Sequence, residues 1–188
     1  MTQTRDWRRN RDMWVRVLER QTGVGVEQWT SRIQQAKLPD EAAVRAWLSR
    51  EGVKGYAQTL LIMEQFGYPD FLLASADDLI ERQYADRRHL RPIFDALITA
   101  ARALENVAIQ TRKTYVSLVT PVRTFARIVP ATKTRIDLGL RIDGKKPGGR
   151  LVPSTIHETM KLQISLTSLA EVDDEVMHWL GKAHERNS

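Results

Sequence analysis

The sequence contains no cysteine. Disulfides and cysteine-ligated zinc or iron–sulfur centres are thereby excluded, in keeping with a reducing compartment. Long apolar runs are missing too. The longest, TLLIM at residues 59–63 and DALITAARAL at residues 95–104, fall well short of the roughly 20 residues that cross a bilayer. No membrane span is expected. The opening residues, MTQTRDWRRNRDMW, carry charges where a secretory signal needs an apolar stretch, so the chain is expected to stay in the cytoplasm. Histidine is scarce, and His89, His157, His178 and His184 show no HExxH or facial-triad spacing. There is no G-x-S-x-G elbow and no readable nucleophile–base pair. No catalytic residue, metal or cofactor is therefore expected, and a binding module is favoured over an enzyme.

What the sequence does have is unevenly placed positive charge. The formal net charge is +6 over 188 residues. Residues 1–20 carry +3, residues 21–103 carry −1, residues 104–161 carry +7 and the remainder carries −3. The excess in the third stretch favours an anionic partner, a nucleic acid or another polyanion.

Apolar periodicity divides the chain in two. Up to about residue 110 it is helical. Trp7, Trp14, Val17 and Leu18 share one face of a first helix that ends near Gly23, with arginines on the other faces. A second helix carries Trp29 and Ile33, and a third starts at Asp40 as N-cap with Val44, Trp47 and Leu48 on its stripe. The segment YAQTLLIMEQF reads as a buried helix closed by Gly67, and Ser75 with Asp78 reads as a capping box. A long helix is expected from about Asp86 through HLRPIFDALITAARAL, and a short one at VAIQTRK after Asn106.

From Tyr115 the period becomes two. YVSLV and TFARIV read as strands, and TRIDLGLRID alternates over ten residues, Ile136, Leu138, Leu140 and Ile142 facing one way and Arg135, Asp137 and Arg141 the other. In MKLQISL, Met160, Leu162, Ile164 and Leu166 are expected inward, and RLV at residues 150–152 starts a further strand. A last helix from about Ser168 turns Val172, Val176, Trp179 and Leu180 inward. The fold class is α+β: a helical N-terminal half, then a small antiparallel sheet packed on helices, ending in a helix.

Between residues 133 and 151, KTRIDLGLRIDGKKPGGRL combines a strand with a glycine-rich basic stretch. It lacks the GxxxxGK[ST] and GxGxxG spacings that cradle phosphates at a helix N-terminus. Asp143-Gly144 reads as the tight turn of a hairpin, kept soluble by Lys145 and Lys146. Two uses of the surrounding charge remain open. Arg123, Arg127, Lys133, Arg135, Arg141, Lys145, Lys146 and Arg150, with Lys161, form either an anion-binding surface or an ordinary charge-laddered sheet face paired through Asp137 and Asp143. Tyr115, Ser117 and Asp137, with Arg135, are candidates for a small-ligand pocket. The acids from Glu171 to Glu175 are explained by the dipole of the last helix.

The strings GVGVEQWTSRI, AVRAWLSREGVKGYAQTLL, LRPIFDAL, TYVSL, FARIVPATKTRIDLGL, GGRL and EVDDEVMHWLGKAH resemble bacterial proteins that join two uncharacterised domains. The N-terminal one is the domain of unknown function 4287, and the C-terminal one is the domain of unknown function 5655, similar to the YdhG-like group. The likeness spans roughly residues 22–186 and implies a helical module followed by a small α+β domain. The boundaries drawn with it are a basic N-terminal helix at 1–20, a helical domain at 21–85 and an α+β YdhG-like domain at 86–188. Some relatives are described as predicted transport proteins or as frataxin-like iron carriers, and some related domains stand beside nuclease-like ones. The resemblance implies no established activity. Together the readings give a non-enzymatic cytoplasmic module for nucleic acid or another phosphate-bearing ligand. The alternatives are a small-ligand or iron-handling protein with a pocket expected between the helical half and the sheet, and an interaction adaptor using Trp7 and Trp14.

Overall fold

The computed structural model describes residues 2–4 and 7–188, with side chains from residue 9 onward. The side chain of Trp7, expected on the first helical stripe, lies outside the described residues. The chain divides into two compact units, Asp6–Ala74 and a second made of Ser75–Ser188 with Met1–Arg5. Strand β1 (Thr2–Thr4) opens the second unit.

The first unit is helical: α1 (Trp7–Thr22), α2 (Val26–Ala36), α3 (Glu41–Arg50), α4 (Gly55–Phe66) and the single turn α5 (Asp70–Leu73). Helix α4 is apolar nearly all round because it packs against α1, α2 and α3 together. Its Ala57, Leu60, Leu61 and Ile62 join Leu18, Trp29, Ile33, Val44 and Leu48 in one core. Trp29 meets Trp47 edge-on at 6.0 Å, and its indole N–H donates to Thr22 Oγ1 at 3.1 Å, tying α2 to the end of α1. Asp40 caps α3 by accepting from the Ala43 amide. Glu64 accepts from Arg11 at 2.7 Å and from the Tyr68 hydroxyl at 2.5 Å. Burial beside that carboxylate pushes the Tyr68 hydroxyl up to about 12.

The second unit continues with α6 (Ala76–Tyr84), a 3-10 turn at Arg88–Leu90, α7 (Arg91–Arg102), β2 (Ala108–Thr111), β3 (Val116–Val119), β4 (Thr124–Val129), β5 (Ile136–Leu140), β6 (Val152–Pro153), β7 (Leu162–Leu166) and α8 (Asp174–Glu185). Ser75 and Asp78 form the expected capping box on α6. Among the described residues the strands make one sheet in the order β1-β2-β3-β4-β5-β7-β6. Every neighbouring pair is antiparallel except β1 with β2. Helices α6, α7 and α8 share one core with Val116, Leu118, Ile128, Leu138 and Ile164. The α+β architecture follows.

Four local expectations are corrected. VAIQTRK contains no helix: Ile109 and Thr111 are buried while Ala108 and Gln110 are more exposed, a period of two that the backbone completes by pairing with β3. The long helix expected from Asp86 is shorter, starting at Arg91 after the 3-10 turn, with Pro92 in its first turn. The stretch Asp143-Gly144 does not close a hairpin between β5 and β6, because β7 occupies the edge of β5 and pushes β6 to the far side. Met160 does not face inward with Leu162. It sits in a turn before β7, closed by a hydrogen bond from its amide to the His157 carbonyl, and covers Gly139 on the polar face.

That covering explains why all five residues of β5 are buried instead of alternating. A Cβ on Gly139 would lie 2.8 Å from Ile156 Cδ1 and 3.2 Å from Met160 Cγ. Valine at this position is expected to lift the 154–161 loop off the sheet. The cost should be about 1–3 kcal/mol, the usual range for overpacking. Urea unfolding and amide exchange of the loop would show it, and an unchanged midpoint would refute the tight cover.

Candidate anion-binding site

Three of the chain's cations meet at one end of the sheet. Arg123 stands just before β4, in a turn in which Thr120 Oγ1 accepts from the Val122 and Arg123 amides. Arg141 follows β5. Its amide donates to the Phe125 carbonyl at 2.8 Å, and its own carbonyl accepts from Asn187 Nδ2 at 2.9 Å. Lys161 precedes β7, with its amide on the Leu140 carbonyl at 3.0 Å. Because β4, β5 and β7 are adjacent and antiparallel, the start of β4, the end of β5 and the start of β7 coincide. Arg123, Arg141 and Lys161 line a cleft of about 240 Å³ together with Asp143, Glu158 and Thr159.

The charge in the cleft is largely uncommitted. Arg141 Nε reaches the Thr159 carbonyl at a long 3.4 Å. Among the described residues no carboxylate lies within 4 Å of Arg123, Arg141 or Lys161. A volume of this size falls below the roughly 300–1,000 Å³ that encloses a drug-sized molecule. It suits a single group, such as a phosphate with the atoms next to it. A neighbouring hollow of about 250 Å³, lined by Ser154, Thr155, His157 and Glu158 among others, flanks the same turn.

The other sequence candidates are placed elsewhere. Arg127 lies 4.8 Å from the ring centroid of Tyr115, in a row that runs across the polar face through Gln110, Ser117, Gly139 and Gln163. Arg135 pairs with Asp137 at 2.9 Å. Asp137, 3% exposed, also accepts from Ser165 Oγ at 2.7 Å, so it is satisfied within the sheet. Ser117 is buried and Tyr115 is half-buried beneath Arg127. Lys133 and Lys146 are exposed, and the Lys145 ammonium stands 5.2 Å from the Trp179 ring. Arg150 contacts Asp173 at 2.7 Å and Glu175 at 3.7 Å, and donates to the Glu171 carbonyl at 2.7 Å. The glycine-rich loop is thus docked on the start of α8.

The acids at that docking point are also occupied. Glu171 accepts from the Thr167 and Ser168 amides, which hold its carboxyl below the ordinary glutamate range. Asp173 accepts from the Val176 amide as the N-cap of α8 and is held low by that bond and by Arg150. Among the described residues no three histidine, aspartate or glutamate side chains are grouped as a metal site.

Sequence reading counted Lys161 among the basic residues of this domain but did not single out Glu158 or Thr159. The signal that was present is HETMK, a polar turn directly before a strand, with its lysine on the outward register. The family model described as Domain of unknown function (DUF5655) matches residues 80–187. No curated protein matches the chain, and no solved structure does either.

Proposed function

The chain belongs to the DUF5655 family, and from that premise we propose that its α+β unit is a binding module for a phosphate-bearing partner, a nucleic acid. One observation carries the reading: Arg123, Arg141 and Lys161 converge on one cleft, and among the described residues none of the three has a carboxylate within 4 Å. Cations left without an internal partner can neutralise phosphate and release its counterions, which gives salt-dependent and largely sequence-independent affinity. Arg127 extends the positive surface along the polar face, whereas Arg135 is matched by Asp137. Arg150 belongs to the support of the loop, since its guanidinium is engaged by α8. The finer likeness, YdhG-like for residues 86–188 and domain of unknown function 4287 for residues 21–85, belongs to the same reading, as does a cytoplasmic setting.

The test is fluorescence anisotropy with a labelled single-stranded oligonucleotide at low salt. Arg123→Gln combined with Lys161→Gln should weaken binding by about tenfold or more and equally for unrelated sequences, as loss of phosphate contacts does. Lys146→Gln, on the exposed loop, should change little. Equal affinity for the double variant and the unaltered protein would remove the cleft from the proposal.

A further inference from the structure

The same cleft contains two acids that an all-purpose phosphate site would not carry. Asp143 and Glu158 line it beside the three cations. Among the described residues neither carboxylate has an ion-pair partner within 4 Å, and neither accepts a hydrogen bond; the Asp143 bond to Arg186 uses its backbone carbonyl. An ionised carboxylate can only accept. Facing a bare phosphate, each would oppose the attraction of Arg123, Arg141 and Lys161. The conflict disappears when the ligand presents hydroxyl donors next to its phosphate.

Resting on the nucleic-acid reading above, we infer that the cleft takes the ribose-phosphate unit of RNA, its cations on the phosphate and Asp143 or Glu158 on the adjacent 2′-hydroxyl. The 2′-hydroxyl is the group that separates RNA from DNA at such a site. The size of the cleft agrees with one sugar-phosphate unit of a longer strand. Its walls are held in place before any ligand arrives. The Arg141 backbone is tied on both sides, to Phe125 and Asn187, and the turn bearing Glu158 is closed by the Met160 amide on the His157 carbonyl and by the Thr159 amide on His157 Nδ1. A backbone held beforehand loses little freedom on binding.

The experiment compares labelled twelve-residue oligouridylate with oligodeoxyuridylate, whose bases are identical and whose sugars differ only at the 2′ position. Anisotropy titrations use the full chain and its Asp143→Ala/Glu158→Ala variant; Asp143 and Glu158 are both exposed. The unaltered chain should bind oligouridylate about tenfold more tightly, the size of one hydrogen bond to a charged acceptor. In the variant the two affinities should converge, with oligodeoxyuridylate bound no more weakly than before. Equal affinities in the unaltered chain, or an undiminished preference in the variant, would overturn the ribose assignment while leaving the anion site intact. Absence of binding to both strands at low salt would overturn the underlying reading along with it.

Discussion

Alanine in place of Phe125 is expected to lower the stability of the α+β unit by about 3–5 kcal/mol, the range for truncating a large buried aromatic side chain. Strict alternation along TFARIV would put Phe125 on the polar face with Arg127. The pairing avoids this with a bulge: Leu118 pairs with Ala126 and Val119 with Thr124, so Phe125 is skipped. The extra residue turns its side chain into the helix-covered core, where it is fully buried. There it meets the His184 ring of α8 edge-on at 5.3 Å. Its loss leaves a cavity where α8 rests on the sheet, and close-packed neighbours refill such space only partly. Urea unfolding of the two proteins measures the difference. Leucine at the same position should recover a large part of it, whereas an alanine variant as stable as the original would show that the bulge does not direct this ring into the core.

Alanine in place of Asn187 should cost about 2–4 kcal/mol, a large effect for a residue that carries no charge. The side chain is 2% exposed. Its amide nitrogen donates to the Arg141 carbonyl at 2.9 Å and to the Ala183 carbonyl at 2.6 Å, while its backbone carbonyl accepts from Thr120 Oγ1 at 2.6 Å. Truncation removes both side-chain bonds and leaves buried acceptors without that donor, each worth about 1–3 kcal/mol. The same bonds join the end of α8 to the strand ends that carry Arg123 and Arg141. Weaker anion binding should therefore accompany the lower urea midpoint. An unchanged midpoint would contradict the structural role given to this side chain.

The helical unit was legible because its signals are local: Asp40 caps α3 through a neighbour three residues away, as Ser75 does for α6 in the second unit, and the stripes of α2 and α3 repeat every three or four residues. Strands β3 and β7 were legible for the same reason, through period-two patterns, and β4 was legible as a strand although its bulge breaks the alternation at Phe125. VAIQTRK was misread because seven residues without a cap carry little local information. Its strand state comes from β3, a partner chosen by the fold. The burial of both faces of β5 depends on Ile156 and Met160, which return over the sheet from a loop beyond it. The convergence of Arg123, Arg141 and Lys161 depends on strand order, which no local pattern encodes. Charge totals likewise did not reveal that Arg150 is matched by Asp173 and Glu175 from α8. A net excess counts cations, and only the fold decides which of them are left unmatched.

The most direct test of the account is the salt dependence of oligonucleotide affinity, measured by anisotropy from low to near-physiological salt for the unaltered chain and for Arg123→Gln/Lys161→Gln. The account predicts that the logarithm of affinity falls linearly with the logarithm of salt, and that the double variant flattens the slope by about 1–2. No binding at low salt, or the same slope in both proteins, would contradict it.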